Sequence, residues 1–365
     1  MKVLLFLGHP AHFHLFRFVL RELKEKSCQL MIIIKSKDVL VDLLENESLE
    51  YENIYPIERS NSKLKIIISL IERDNKLLKY SRNYRPDFMI GTSSEIARVG
   101  RLINIPSIVV QEDDANVIKN FSRLTYPFAK TILSPASCNN GRWGAKTIFY
   151  QGYHELAYLH PNYFQPNIEK VKRFTNYPAE KYFIIRFAKL TAYHDIGKSG
   201  ITNELAIQII NKLNPLGKVY ITSERELEPE FEKYRIKIDP SDIHHALAFA
   251  ALFIGDSQTM AAEAAVLGTP SIRFNDFVGK LGYIEELEHK YGLTYGIKTS
   301  DPEKLFKKID ELLSMENLKE EWQKRRANML NDKIDVTAFM VWFIENYPVS
   351  FRIMKENSNY QYNFR

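Results

Sequence analysis

The sequence predicts an α/β protein made of two Rossmann-like lobes, each a parallel sheet covered by helices. Three observations carry this expectation. Short apolar runs alternate with stretches of helical periodicity along the chain. The alternation stops in a segment rich in proline and asparagine, 159–180, and then restarts. The 365 residues also exceed what one compact core usually holds. Open parallel sheets bind ligands outside the carboxyl ends of their strands. A central cleft faced by both sheets is therefore the expected site.

Each element follows from its pattern. Val3–Leu7 is a continuous apolar run, read as a buried strand. His12–Lys26 is a helix with Leu15, Phe16, Val19, Leu20 and Leu23 on one face. Leu30–Ile34 is a strand, Lys37–Glu45 a short helix and Lys63–Tyr84 a long one. Asp87–Ile90, Ser107–Val110, Thr131–Leu133 and Lys146–Phe149 are strands, with a helix at Ser94–Ile103. In the second lobe the strands are Tyr182–Ile185, Lys218–Ile221, Arg235–Ile238, Leu252–Ile254 and Ser271–Phe274. Helices there are Thr202–Lys212, Ile243–Ala250 and Met260–Leu267. Three closing helices follow at Glu303–Leu313, Leu318–Leu330 and Asp335–Asn346. The expected lobes are 1–165 and 166–334. Asn357–Arg365, polar and aromatic, reads as a loosely ordered end.

Composition excludes several classes. Hydrophobic residues make up 45% and charged residues 26%, a soluble globular balance. No apolar run reaches the length of a membrane helix, and the N-terminus lacks the pattern of a signal peptide. Two cysteines, Cys28 and Cys138, make neither a disulfide scaffold nor a cysteine zinc cluster. A cytoplasmic protein is expected. The net charge of +5 is too small for a nucleic-acid binder. Charge is concentrated in 59–85, where Arg59, Lys63, Lys65, Arg73, Lys76, Lys79, Arg82 and Arg85 face only Glu72 and Asp74. That stretch is either a solvated helix face or a peripheral contact with anionic lipid at the inner face of a membrane.

Five loops could carry chemistry. The first is Gly8-His9-Pro10-Ala11-His12-Phe13-His14, which opens a helix. Gly8 permits a tight turn, and His12 could be a general base because imidazole titrates near neutrality. The plainer alternative packs His14 on the helix and leaves His9 in solvent. The second, Gly91-Thr92-Ser93-Ser94-Glu95, reads first as a helix cap and second as a contact for substrate hydroxyls. The third, Gln111-Glu112-Asp113-Asp114, offers Glu112 or Asp113 as a base lining the cleft. Its alternatives are a divalent cation site and a helix cap by Asp113 or Asp114. The fourth is Arg186 with Lys189, His194 and Asp195, where a strand-end guanidinium suits a diphosphate. The alternative is a surface ion pair, with Asp195 as one partner.

The fifth loop is the most specific. Gly255-Asp256-Ser257-Gln258-Thr259-Met260-Ala261-Ala262-Glu263 turns from a strand into a helix of small residues that ends at Gly268-Thr269-Pro270. Ser257, Thr259 and the first N–H groups form an anion site. Glu263 lies one to two turns in, placed to reach a bound sugar. The alternative is a capped helix with a surface glutamate.

This string resembles the nucleotide-binding element in the second lobe of GT-B glycosyltransferases and UDP-N-acetylglucosamine 2-epimerases. The whole chain resembles the DUF354 family of predicted glycosyltransferases. The shared segments are His9-Pro10-Ala11-His12-Phe13-His14, Tyr126-Pro127-Phe128-Ala129 and Asp256-Ser257-Gln258-Thr259-Met260. The resemblance implies a GT-B-like fold whose final helix, roughly 335–365, returns to the first lobe. It implies a nucleotide-sugar donor, most readily a UDP-sugar, held by Gly8, Arg186, Ser257, Thr259, Met260 and Glu263. His12, Glu112 or Asp113 would activate a saccharide or lipid-linked acceptor in cell-surface polysaccharide or glycoconjugate synthesis. The loop Gly91-Thr92-Ser93 lacks the aspartate that the epimerases carry there, and Arg186 stands where they carry histidine. Both departures disfavour epimerase chemistry. No Asp-x-Asp metal motif is evident, so metal-independent transfer without a cofactor is expected. The alternatives are a nucleotide-sugar 2-epimerase or hydrolase of the same fold, and a non-catalytic nucleotide-sugar-binding protein.

Overall fold

The computed structural model describes residues 1–35, 39–55, 63–188 and 200–365, without the side chains of 55 and 63–67. The chain forms two compact units, one of Met1–Tyr158 with Ile334–Arg365 and one of Leu159–Lys333. The change of unit thus falls before the proline- and asparagine-rich stretch is crossed, at 158/159 rather than 165/166.

The first unit opens with β1 (Lys2–Leu7), α1 (Pro10–Glu25), β2 (Gln29–Lys35), α2 (Leu40–Asn46), β3 (Glu52–Tyr55) and α3 (Lys63–Tyr84). It continues with β4 (Phe88–Gly91), α4 (Ser94–Ile103), β5 (Ser107–Val110), α5 (Lys119–Thr125), β6 (Thr131–Pro135) and β7 (Thr147–Tyr150). A single helical turn, α6 (Leu156–Leu159), lies at the border. The seven strands form one parallel sheet in the order β3-β2-β1-β4-β5-β6-β7. The strand order reverses between β1 and β4, the place where such sheets leave a crevice at their carboxyl ends. Helix α1 starts two residues earlier than its apolar periodicity suggests. Pro10 fits the first helical turn, where its missing N–H costs nothing, and His9 caps that turn with its side chain.

The second unit holds α7 (Ile168–Val171), β8 (Tyr182–Phe187), α8 (Asn203–Leu213), β9 (Lys218–Ser223), α9 (Ile243–Phe249), β10 (Leu252–Gly255) and α10 (Gln258–Leu267). Then come β11 (Ser271–Phe274), α11 (Gly282–His289), β12 (Thr294–Ile297), α12 (Pro302–Leu313) and α13 (Leu318–Asp332). Its parallel sheet runs β12-β11-β10-β8-β9. The expected strand at Arg235–Ile238 is absent. Arg235 makes one isolated bridge to Ile221, after a 3-10 turn over Pro229–Tyr234. Strand β12 takes the sheet's other edge instead. Its four residues lack the apolar density that marks a strand in sequence.

The chain ends in the first unit with α14 (Val336–Glu345) and α15 (Val349–Glu356). Helix α14 packs on α1 and buries Phe339, Met340, Phe343 and Ile344. The end of the chain is ordered rather than loose. Ser358–Phe364 is a 3-10 helix, Tyr360 stacks on Trp342 at 4.7 Å, and Gln361 Oε1 accepts the Gln151 N–H at 2.6 Å. Half-buried aromatic rings and the buried Gln361 hold this segment. Among the described residues, no helix is long and apolar enough to cross a membrane.

Candidate active site

In the first unit, β1 and β4 are neighbours, with Phe6 opposite Gly91. A side chain at 91 would place its Cβ 2.5 Å from the Phe6 carbonyl oxygen, so only glycine lets these strands meet. That contact brings the loops after the two strands together. The Gly8 N–H donates to His12 Nδ1 at 3.2 Å. The Thr92 hydroxyl lies 2.6 Å from both ring nitrogens of His12. His9 Nδ1 accepts the Ala11 N–H at 3.1 Å, so His9 is a helix cap and not a solvent residue. His14 packs against Tyr158, ring centroids 5.4 Å apart.

Capping is not what the second loop does. Ser93 occupies the cap position of α4 but makes no cap hydrogen bond. Its hydroxyl is buried and without a partner among the described residues. Thr92 instead serves His12, and Ser94 donates to Glu95 Oε2 at 3.1 Å. Glu95 is itself inside the unit, 3.2 Å from Arg73 Nη1.

The acidic loop after β5 also departs from the cap reading. Helix α5 begins at Lys119 with no side-chain cap. Asp114 Oδ1 accepts the Asn139 N–H at 2.8 Å and so ties the loop to the one after β6. Asp113 Oδ2 accepts from Gln111 Nε2 at 3.2 Å. Glu112 is held by His154, from the loop after β7, which the sequence analysis did not single out. Burial pushes the Asp113 carboxyl up to about 7, with the charges of Glu112 and Asp114 adding to the rise and His154 opposing it. A carboxyl near neutrality suits proton transfer at physiological pH.

In the second unit, β8 lies beside β10 with Arg186 opposite Gly255. A Cβ at 255 would sit 2.8 Å from Arg186 Cβ. Glycine there lets the guanidinium's strand run against the turn into α10. Arg186 Nη1 donates to Thr222 Oγ1 at 2.8 Å, and its Nη2 pairs with Glu224. Its Nε is buried without a hydrogen-bond partner among the described residues. Lys189, His194 and Asp195, grouped with Arg186 from sequence, lie outside the described residues.

Asp256 is buried and anchors the turn, accepting the N–H groups of Ala188 at 2.6 Å and Ile201 at 3.2 Å. Burial raises its carboxyl to about 6, against the pull of those two hydrogen bonds. Ser257 caps α10 by accepting the Met260 N–H at 3.3 Å. Thr259 is half-buried, and Met260 is buried. Glu263 is not a surface residue. It is 5% exposed, and its Oε1 lies 3.0 Å from His244 Nε2 on α9. Alanines at 261, 262, 264 and 265 let α9 approach closely enough for that pair, which no spacing along the sequence reports.

Glu285, Glu288 and His289 are close enough to share a cation, but Arg273 already donates to Glu285 at 2.6 Å and to Glu288 at 2.7 Å. This cluster is an ion-pair network. In the basic stretch, Arg73 turns to Glu95 and Lys76 donates to the Ile54 carbonyl at 3.0 Å. Lys79, Arg82 and Arg85 are exposed, as are Ile68 and Ile71. Arg59 and the side chains of Lys63 and Lys65 lie outside the described residues.

The two parallel sheets and the polar residues after their strands define a protein with the fold of GT-B glycosyltransferases and UDP-N-acetylglucosamine 2-epimerases. The chain belongs to the family described as protein of unknown function, DUF354, whose model matches residues 1–342. Three solved structures place the fold. Staphylococcus aureus MnaA with UDP has a TM-score of 0.68 at 13% identity, covering 95% of this chain and 96% of that one. Neisseria meningitidis UDP-GlcNAc 2-epimerase bound to UDP-GlcNAc has 0.63 at 14%, covering 94% and 99%. The spinosyn rhamnosyltransferase SpnG with spinosyn aglycone has 0.62 at 14%, covering 95% and 100%. No curated protein matches the chain in sequence.

Proposed function

We propose that the protein is a glycosyltransferase that moves a sugar from a nucleotide-sugar donor, most readily a UDP-sugar, to an acceptor hydroxyl. The observation that carries this reading is the pairing of Arg186 with Gly255. It sets the backbone of Arg186 against the turn into α10, whose N-terminus suits a diphosphate, while Thr222 and Glu224 hold the Arg186 guanidinium. The complexes of similar fold with UDP, UDP-GlcNAc and thymidine diphosphate support it. In this reading Arg186, Ser257, Thr259 and the Met260 N–H take the diphosphate. Glu263, held by His244, takes the nucleoside's hydroxyls.

The reaction needs three things from the chain. The acceptor hydroxyl must lose its proton, for which His12, Glu112 and Asp113 are the candidates. Its oxygen then bonds to the anomeric carbon as the bond from that carbon to the diphosphate breaks. The departing electron pair rests on the diphosphate, which Arg186 and the α10 N–H groups stabilise. None of these steps calls on a metal or cofactor. An acceptor linked to lipid would fit a peripheral contact through 59–85, where Lys79 and Arg82 stand exposed on the same helix as Ile68 and Ile71, with Arg85 exposed just past its end.

Thermal unfolding tests the reading. UDP or thymidine diphosphate at about 100 times its dissociation constant should stabilise the protein by about 2.7 kcal/mol. Arg186→Met and Ser257→Ala should each weaken the nucleotide about tenfold or more. Absence of any shift with UDP, GDP and thymidine diphosphate would refute the proposal. Exchange of the donor's C2 hydrogen for deuterium, without acceptor, would mark an epimerase instead.

A further inference from the structure

The carboxyl ends of β5, β6 and β7 meet in a polar cluster. Glu112 follows β5 and His154 follows β7. The His154 main-chain N–H donates to Glu112 Oε2 at 3.3 Å, and its ring Nδ1 lies 3.5 Å from Oε1. One residue therefore faces both oxygens of that carboxylate from a neighbouring loop. From β6 comes Cys138, whose thiol donates to the Glu112 carbonyl at 2.7 Å.

The cluster holds buried polar atoms that it leaves unpaired among the described residues. His154 Nε2 is buried and has no hydrogen-bond partner among the described residues. The hydroxyls of Tyr126 and Tyr150, both fully buried, are in the same condition. The charge of Asp113 bears on Tyr126, and that of Glu112 bears on Tyr150. Buried polar groups left unpaired are costly, and a cluster that served only to hold loops together would pair them.

We propose that His154 is a positioning residue that holds Glu112 beside Asp113, so that the two carboxyls act as one proton-accepting unit. This rests on the glycosyl-transfer reading. The acceptor's O–H bond breaks as its oxygen bonds to the anomeric carbon, the proton goes to Asp113, and the diphosphate leaves with the electron pair. Two carboxylates in close quarters do not ionise independently. Desolvation and the charge of Glu112 both raise Asp113. The groups that face it are Glu112, Asp114, His154, Cys138 and Tyr126.

Carbon-13 spectra of the full-length protein, labelled at aspartate carboxyls and titrated with pH, test this. One carboxyl should titrate near 7 and be missing in Asp113→Asn. Glu112→Gln should lower that midpoint, because it removes the neighbouring charge. In a His154→Leu background the same Glu112→Gln change should lower it less, because the ring contact to Oε1 is lost and only the main-chain N–H still holds Glu112. His154→Asn, whose amide can donate from near the Nδ1 position, should keep most of the coupling. His154→Gln carries its amide too far out and is read like His154→Leu if that variant does not fold. An equal effect of Glu112→Gln in native and His154-substituted proteins overturns the proposal, as does the lack of any aspartate titrating near 7. UDP affinity of the His154 variants, expected unchanged, is measured separately. If no nucleotide binds any variant, the transfer reading falls, whereas the carboxyl coupling stands or falls on the spectra.

Discussion

Single residues set the chemistry through what buries them. Asp256 shows the effect in the second unit. Its folded-state value of about 6 exceeds the ordinary 3.8 because burial disfavours the charged form. A group raised in this way stabilises the fold fully below its unfolded value and loses that contribution as pH rises through its folded value. We therefore expect native protein to lose stability relative to Asp256→Asn between about pH 4 and pH 6. The loss should approach about 3 kcal/mol at 1.36 kcal/mol per pH unit, read from urea unfolding of both proteins. His244 offers a second case. Removing its ring in His244→Ala takes the partner from the buried Glu263 carboxylate. Stability should fall by about 1–3 kcal/mol, with weaker nucleotide binding beside it. Unchanged nucleotide affinity in a folded His244→Ala would mean that Glu263 plays no part in the nucleotide site.

Elements place these residues, and close backbone approaches decide where. The meeting of β1 and β4 at Phe6 and Gly91 is what brings Thr92 to His12. Gly91→Ala would force its Cβ into the Phe6 carbonyl. We expect it to destabilise by more than about 2 kcal/mol and to disturb the histidine loop, seen as a changed His12 signal in proton NMR. Helix α3 shows how an element divides its charges. Arg73 and Lys76 are spent on contacts within the unit, and Lys79 and Arg82, with Arg85 just past the helix end, remain exposed. Reversing those three to glutamate should abolish salt-sensitive sedimentation with anionic vesicles if the helix docks there. The native protein failing to sediment at low salt would remove the idea.

At the scale of the molecule, the chain's end completes the unit that its beginning starts. Ile334 donates to the Gln151 carbonyl at 2.9 Å, and the Thr337 hydroxyl to that of Ala157 at 2.7 Å. Helix α14 then covers α1 with a strongly apolar face. A chain ending at Lys333 would leave that patch of α1 bare, a large exposed apolar surface of the kind that drives association. We expect such a truncation to bind hydrophobic dyes and to aggregate on size-exclusion chromatography. A monodisperse truncated protein would show that the first unit is complete without its C-terminal helices.

The sequence by itself determined the architecture. Short continuous apolar runs and helical stretches of period 3.6 report local burial, and they were enough for two parallel sheets and most of their elements. It also determined the turn at Asp256-Ser257, because strand end, cap and small-residue helix are all local features. Even the ends of α4 and β5 were legible, since their caps and breakers lie within a few residues. What it left open concerns pairs distant along the chain. His154 meets Glu112 across 42 residues, and Glu263 meets His244 across 19, between different elements. Thr92 serves His12 rather than its own helix across 80 residues. Hydrogen-bonding groups choose partners by proximity in space, and only the tertiary structure fixes that. The same holds for the chain's end, where Tyr360 stacks on Trp342 and the buried Gln361 bonds Gln151, partners that only the tertiary structure brings together.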